Sequence, residues 1–350
     1  MMLFEPYQTP GAWLAGDGPE ADSVISSRIR LARNVKGFPF VGRMRNTTKK
    51  EFVEFFLHHV EDVICEYRLD WVDFTTLEEV DLRFLYERHL VSNEIVEGEG
   101  PRGILVNREE SIAIMVNEED HLRVQCLASG FAPGKFWQQI DRIDDLFDAR
   151  IPYAFDPGIG YLTSCPTNAG TGIRVSVMLH LPGLVITNEI RKVFNAVGKL
   201  GLTVRGLYGE GTEGLGDFFQ VSNQVTLGVS EADIIARVGS IVPRIIGYER
   251  KAREVLLKKR RLLIEDRIGR AQGILRHAQA ISSEEALTLL SLIRLGVATG
   301  LVSGMDLRVL NNLFLNCQPS HLQKRLNRTV EAEERDALRA AYLREHFNKP

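Results

Sequence analysis

The chain has 350 residues, 44% of them apolar, with 46 acidic against 43 basic side chains and a formal net charge of −3. That is enough apolar material for a sizeable core, most simply in two domains, and the charge balance offers no global attraction to nucleic acid or to anionic membranes. No apolar run approaches the ~20 residues of a membrane span, and the N-terminal stretch lacks the basic start and apolar core of a secretion signal. Cys65, Cys126, Cys165 and Cys317 are too scattered for a metal motif or a disulfide framework. The expectation is a reduced, cytoplasmic protein that binds neither membrane nor nucleic acid directly and has no metal site of its own.

In chain order, Ser26-Ser-Arg28-Ile-Arg30-Leu31 reads as extended, and a period of two puts both guanidiniums on one face. Helices are predicted over 49–67 and 77–90, then strands over 103–106, 111–116 and 122–128. The connection Asn107-Arg-Glu-Glu110 is short enough for a hairpin, so the sheet should be largely antiparallel. A helix over 134–148, a strand over 173–181, a helix over 187–199 and strands over 202–207 and 218–227 complete this part. After Glu249 strand character ends. Residues 250–276 carry ten Lys or Arg against three acids. Yet Leu256, Leu257, Leu262, Leu263, Ile264 and Ile268 are spaced as the buried stripe of a helix with a charged outer face, which is preferred to a nucleic-acid surface. Ser282-x-x-Glu285 reads as a capping box and Thr329 as the cap of the last helix. The fold class is α+β, with a catalytic domain over 1–250 and an all-helical domain over 251–350.

The most informative stretch is Asn117-Glu-Glu-Asp-His-Leu-Arg123, three consecutive carboxylates between two strand-like runs. Such a charge stack needs a cation against it unless it is a solvated loop. Arg28, Arg30, Arg123, Arg174 and Arg205 all fall on strands or strand ends. Singly each reads as a surface charge; together on one sheet they could wrap a polyphosphate through paired hydrogen bonds. That arrangement would take the place of a phosphate loop, since no Gly-x-x-x-x-Gly-Lys-[Ser/Thr] occurs and the protein-kinase motifs are absent. Gly209-x-Gly211-x-x-Gly214 matches the dinucleotide fingerprint by letter, but a strand follows it where that motif opens a helix. A nucleotide would bring Mg²⁺, held mainly by its phosphates.

Asn117-Glu-Glu-Asp-His-Leu-Arg123, Cys165-Pro-Thr-Asn-x-Gly-Thr171 and Ser27-Arg-Ile-Arg30 resemble the signatures of the phosphagen (guanidino) kinases, in the family's order across roughly 22–248. The resemblance implies a large antiparallel sheet flanked by helices, and in-line transfer of the γ-phosphoryl of Mg-ATP to a guanidinium nitrogen. It implies Arg28, Arg30, Arg123, Arg174 and Arg205 as ligands of the ATP phosphates, Glu119 as the catalytic carboxylate and Glu210 as a second one. It places Cys165 beside the substrate guanidinium, where a plain buried thiol is the alternative. Paired carboxylates can align a guanidinium and accept its proton. Met178 stands where many members have a histidine near the adenine, so no base contact carries over.

Small-molecule members place a helical domain ahead of the Ser-x-Arg-x-Arg segment. Here that segment begins at residue 27, and a helical part is added at the other end, as in bacterial protein-arginine kinases. Arg335-Asp-Ala-Leu-Arg-Ala340 is similar to the segment with which those kinases bind phosphoarginine, which implies Arg335, Asp336 and Arg339 as an allosteric site. The alternative there is a set of ordinary ion pairs between helix turns. The resemblance further implies protein substrates bearing arginine, marking of those proteins for a Clp-type protease under stress, a zinc-binding activator protein, and self-association into a dimer or higher oligomer. A kinase for free arginine and a non-catalytic phosphoarginine adaptor are the competing readings. The intact carboxylates and arginines favour an enzyme.

Overall fold

The computed structural model describes residues 11–206 and 214–348. Strand β1 (Val24–Arg33) is followed by α1 (Asn46–His59), α2 (Glu61–Tyr67), β2 (Leu69–Asp73), α3 (Glu79–Glu87) and α4 (Asn93–Glu97). The meander β3 (Gly103–Asn107), β4 (Ile112–Val116) and β5 (Leu122–Ser129) leads into α5 (Pro133–Asp148) and a small ribbon, β6 (Phe155–Asp156) and β7 (Gly160–Tyr161). Next come β8 (Ile173–His180), α6 (Pro182–Ile186), α7 (Ile190–Gly198), β9 (Leu202–Gly206) and β10 (Phe218–Asn223). The rest is helical: α8 (Glu231–Lys259), α9 (Arg261–His277), α10 (Ser283–Ala298), α11 (Leu307–Asn316), α12 (Pro319–Leu326) and α13 (Ala332–Phe347).

Eight strands form one antiparallel sheet in the order β2-β3-β4-β5-β1-β8-β10-β9, so β1 lies inside it, between β5 and β8. Alternation along the strands separates two faces. One is apolar: Ile29, Leu31, Val124, Cys126, Val175, Val177 and Val221 are all 0% exposed and pack with the apolar sides of α1, α5, α7 and α8. The other is apolar only at its margins. Ile104 and Met115 pack there with Leu82, Leu85 and Ile95 of α3 and α4, while Leu127 and Phe218 pack with Trp13 and with Leu287 and Phe314 of the C-terminal helices. Between these margins the face is polar, and it is there that the predicted arginines lie.

The C-terminal helices are tied into the sheet's connections. The buried Glu249 of α8 accepts hydrogen bonds from the Gly183 and Leu184 amides at 2.9 Å, supplying the first turn of α6 with the anion its own cap residue lacks. Arg294 of α10 donates to the Ala21 and Asp22 carbonyls at 2.6 and 3.0 Å, just ahead of β1. Burial pulls its guanidinium down to about 9.

Several local expectations change. The helix predicted over 49–67 is two helices, broken at Val60, whose backbone leaves the helical region (φ −115°, ψ 18°). The strand predicted to 227 stops at Asn223, because the Asn223 side chain itself takes over the bonds to β8, accepting from the Val175 amide and donating to the Ile173 carbonyl. The basic helix begins much earlier, at the Ser230/Asp233 capping box, and breaks at Arg260. Leu262 and Leu263, predicted as buried stripe, are 80% and 40% exposed because that break turns them outward, whereas Leu256, Ile264 and Ile268 are buried. Ser282 does cap α10, accepting from the Glu285 amide at 3.1 Å. Thr329 does not cap α13, which follows Glu331. The expected division at 250/251 falls within the continuous helix α8.

One ion pair crosses the apolar side. Arg33, 1% exposed, reaches Asp144 of α5 through Nε at 3.0 Å and Nη2 at 2.7 Å, and its Nη1 donates to the Ala32 and Thr171 carbonyls at 2.9 Å. Although burial opposes it, the Asp144 charge raises the Arg33 guanidinium above its ordinary value. Asp144→Ala would leave that charge buried and unpaired, so denaturant unfolding should show a loss of about 3–5 kcal/mol. A loss below ~1 kcal/mol would mean that the pair is dispensable.

Candidate active site

Register decides which side chains share the polar face. Arg30 of β1 lies opposite Arg174 of β8 and Gln125 of β5, while Arg28 lies opposite Ser176 and Leu127. Arg123 lies opposite Ala32, two residues beyond Arg30 and therefore on the same side. From β8 the row continues through Ser176 and Met178 to Ser222 and Gln220 of β10, and from Gln220 to Arg205 of β9. All five arginines singled out from sequence thus project from one face of one sheet.

Among the described residues, Arg28, Arg30 and Arg174 are short of counter-charge. Burial first, then the charges of Arg123 and Arg174, bring the Arg28 guanidinium down to about 10. Burial with the charges of Arg28, Arg123 and Arg174 takes Arg30 well below its ordinary value, only partly offset by Glu118. Burial, Arg205 and Arg123 lower Arg174 as well. Neutral groups share in holding them: Arg28 Nη2 donates to Gln220 Oε1 at 3.2 Å and Arg174 Nη2 to Ser222 Oγ at 3.0 Å. Arg174 Nε and Ser176 Oγ are buried and have no hydrogen-bond partner among the described residues. Arg33, on the same strand but the opposite face, has its carboxylate; the polar face instead offers several guanidiniums to an anion from outside. A polyphosphate fits that donor set. A slot beside Arg28, lined by Ser26, His89, Leu127, Ser176, Met178 and Gln220, adjoins the cluster.

The acidic loop closes one end. Asn117 adopts a left-handed conformation (φ 58°), and its side-chain amide donates to the Lys49 and Pro101 carbonyls at 2.9 and 3.0 Å, fixing the turn. Glu118, whose side chain is 0% exposed, holds Arg123, accepts from Ser92 Oγ at 2.5 Å and accepts from the Glu119 amide at 2.7 Å. Glu119 is half-buried, with one carboxylate oxygen 3.3 Å from Arg123 Nη2. Burial raises its carboxyl above the usual range; Arg123 opposes this, and Asp120, Glu118 and Glu94 add to it. Asp120 faces the other way. Its Oδ1 accepts from Asn34 Nδ2 and from the Ser164 amide, both at 2.6 Å, which ties the acidic loop to the segment carrying Cys165. Cys165 is partly exposed, with Sγ 2.9 Å from Thr167 Oγ1. His121 accepts from the Val35 amide through Nδ1 at 2.9 Å, so Nε2 carries the proton and donates to the Pro39 carbonyl at 2.7 Å.

Sequence reasoning missed Glu118, which it took for one acid among three, as well as Ser92, Asp120 and Gln220. The alternation Ser222–Gln220 on β10 was the available signal for the last. Glu210, and Gly209 and Gly211 of the rejected dinucleotide motif, lie outside the described residues. Of the residues in the C-terminal segment, Arg339 is 1% exposed and engaged through all three guanidinium nitrogens: it donates to the Cys317 and Ile281 carbonyls, Asp336 and Ser283 Oγ at 2.6–2.8 Å. Arg335 donates to the Val330 carbonyl at 2.9 Å, and Asp336 keeps a third of its side chain exposed.

Residues 51–252 match the profile of the ATP:guanido phosphotransferase C-terminal catalytic domain. The chain belongs to that family. Within the ATP:guanido phosphotransferases, residues 261–350 match a narrower profile, the C-terminal domain of the protein-arginine kinase McsB. A "Protein-arginine kinase" of Caldanaerobacter subterraneus subsp. tengcongensis is 46% identical over 332 residues, covering 94% of this chain and 98% of the relative. One of the same name from Halothermothrix orenii is 44% identical over 336 residues, covering 96% of each. Among solved structures, the duplicated taurocyamine kinase of Schistosoma mansoni with bound transition-state-analogue components superposes with a TM-score of 0.61 at 22% identity, over 78% of this chain and 40% of that one. Lombricine kinase does so with a TM-score of 0.58 at 22% identity, over 70% and 72%. These two show the shared guanidino-kinase fold. The catalytic-domain profile begins after β1, so the placement of Arg28 and Arg30 rests on sheet register.

A cationic cluster that lacks its anion destabilises the sheet that carries it. Tripolyphosphate at a hundredfold excess over its Kd should add about 2.7 kcal/mol to the unfolding free energy. Arg30→Met should be no less stable than the native chain without the anion and should lose most of that gain. An Arg30→Met protein that melts lower yet keeps the full gain would remove Arg30 from the anion site.

Proposed function

We propose that the chain is a protein-arginine kinase, transferring the γ-phosphoryl of Mg-ATP to arginine side chains of proteins. What carries this reading is the placement of Arg28, Arg30, Arg123, Arg174 and Arg205 on one sheet face, ending at a loop whose Glu118 and Glu119 flank Arg123. In-line phosphoryl transfer depends mainly on positioning and on neutralising phosphate charge, which such a face supplies. The base of the nucleotide would occupy the slot formed by Ser26, His89, Leu127 and Met178. Mg²⁺ would be held chiefly through phosphate oxygens and would neutralise charge there.

Glu119 is the proposed catalytic carboxylate. Its raised carboxyl suits a group that must accept a proton from a guanidinium, with Glu210 as the second carboxylate and Cys165 beside the acceptor. Arg335 and Asp336 are proposed to receive phosphoarginine as an allosteric ligand, with Arg339 fixing Asp336 from behind. The division into a catalytic unit over 1–250 and a helical unit over 251–350 belongs to the same proposal, with α8 shared between them. So do a cytoplasmic location, a zinc-binding activator, delivery of tagged proteins to a Clp-type protease and self-association. No helix among the described residues is long and apolar enough to cross a membrane.

The decisive assay offers γ-labelled Mg-ATP with an unfolded arginine-containing protein or with free L-arginine, using the native chain and Glu119→Ala. The expected product is label on protein that is lost in acid, as a P–N bond is, and that falls by about 10²–10⁴ in the variant. Label on free arginine alone would assign a small-molecule kinase, and no label on either would favour the adaptor reading. Asp336→Ala should weaken phosphoarginine binding while leaving basal transfer in place; unchanged binding would remove that segment from ligand recognition.

A further inference from the structure

The end of α3 is held by a helix from the far end of the chain. Glu87, the last residue of α3, accepts hydrogen bonds from the Ser320 amide at 2.9 and 3.1 Å and from the His321 amide at 3.2 Å. These are first-turn amides of α12, a helix with no side-chain cap of its own, so Glu87 supplies the anion that a cap would. His321 Nδ1 lies 2.8 Å from the same carboxylate, and Arg88 Nη1 lies 3.5 Å from His321 Nε2. With a carboxylate at Nδ1 and a guanidinium at Nε2, the ring is neutral and carries its proton on Nδ1. Glu87, Arg88, Ser320 and His321 are all buried, and Lys324 of α12 adds an ion pair to Asp81 of α3.

From Glu87 the backbone runs directly over the polar face. Arg88 Nε donates to Glu110 at 2.6 Å. The His89 and Leu90 carbonyls accept from Gln125 Nε2 at 3.3 and 2.7 Å, and Gln125 is the residue opposite Arg30 in the sheet. Ser92 then donates to Glu118, the carboxylate that holds both Arg123 and the Glu119 amide. Only four residues therefore separate Glu87, the cap on α12, from Ser92, which donates to the carboxylate that orients the proposed catalytic loop.

We propose that Glu87 is a positioning residue for phosphoryl transfer: anchored by the first turn of α12, it fixes segment 87–92 and, through Ser92 and Gln125, holds Glu118, Arg123 and Glu119 in register. The inference rests on the phosphotransferase reading and adds that the helical unit sets the geometry of the transfer site without touching substrate.

The test measures kcat, and KM for ATP, in the full chain for the native protein, Glu87→Gln, Glu87→Ala, Ser92→Ala and the Glu87→Ala/Ser92→Ala double variant, with thermal melts as the folding control. Glu87→Ala and Ser92→Ala should each lower kcat by about tenfold or more while KM for ATP stays within about twofold. The double variant should be no worse than the weaker single variant, because both act through one path. Glu87→Gln should retain most of kcat, since an amide oxygen still accepts from the α12 amides. Multiplying effects in the double variant, or native kcat in Ser92→Ala, would overturn the proposal; the latter holds even if Glu87→Ala fails to fold. The same kcat pattern with label appearing on free arginine alone would support the positioning role while refuting the protein substrate.

Discussion

Gathering guanidiniums on one face of a β-sheet is the constraint to which the rest of this structure is adapted. Strand alternation leaves no freedom: once Ile29 and Leu31 face the core, Arg28 and Arg30 must face away from it together. The pairing of β1 with β5 and β8 then adds Arg123 and Arg174 to the same side. Charges so placed lower one another's proton affinity, and the fold answers with uncharged partners such as Gln220 and Ser222, and with Glu118 and Glu119 at one end. Arg33 shows the contrast within a single strand, since its position on the core side is stable only with Asp144 beside it. One face is internally balanced; the other keeps guanidiniums that face one another without a full set of carboxylates among the described residues.

That asymmetry explains how the acids divide their work. Of the three consecutive carboxylates, Glu118 turns inward to Arg123 and Ser92, and Asp120 turns toward Asn34 and the Cys165 segment. Both are structural members of the loop. Only Glu119 stays partly open, held by its own amide and by one arm of Arg123. A carboxylate steadied by one guanidinium arm, on a backbone fixed to Glu118, yet accessible is what a bound guanidinium would require. The same logic applies to Arg339, whose three guanidinium nitrogens are all engaged within the helical part, so that Arg335 and Asp336 are the more open members of their segment.

The helical part is not an appendage. Glu249 caps α6, Arg294 holds the root of β1, and α12 caps onto Glu87. Each contact places a buried charge against backbone groups at the end of an element, an arrangement that tolerates little displacement. The sheet and the C-terminal helices are therefore joined through buried polar contacts at the ends of their elements. Leu262 and Leu263 lie where α8 and α9 break apart, outside that shared packing.

The amino-acid sequence by itself determined the fold class and the family, and it named the arginines that the sheet then gathers on one face. Period-two alternation and short hairpin connections are local properties of the chain, and the motif around Glu119 and Arg123 is contiguous. What it could not show was which of many charged residues lack a partner. Arg33 and Arg30 are three residues apart and chemically the same; alternation puts them on opposite faces, but only the docking of α5 gives one Asp144 and only the pairing with β5 and β8 gives the other more arginine. The roles of Glu118 and Glu87 depend on Ser92 and on α12, which lie 26 and more than 230 residues away from them in the chain. Contacts over that separation are set by how elements dock, and no local pattern encodes them. Helix ends were misread for the same reason: the breaks at Val60 and Arg260 follow from what each segment packs against, while helix propensity runs straight through both.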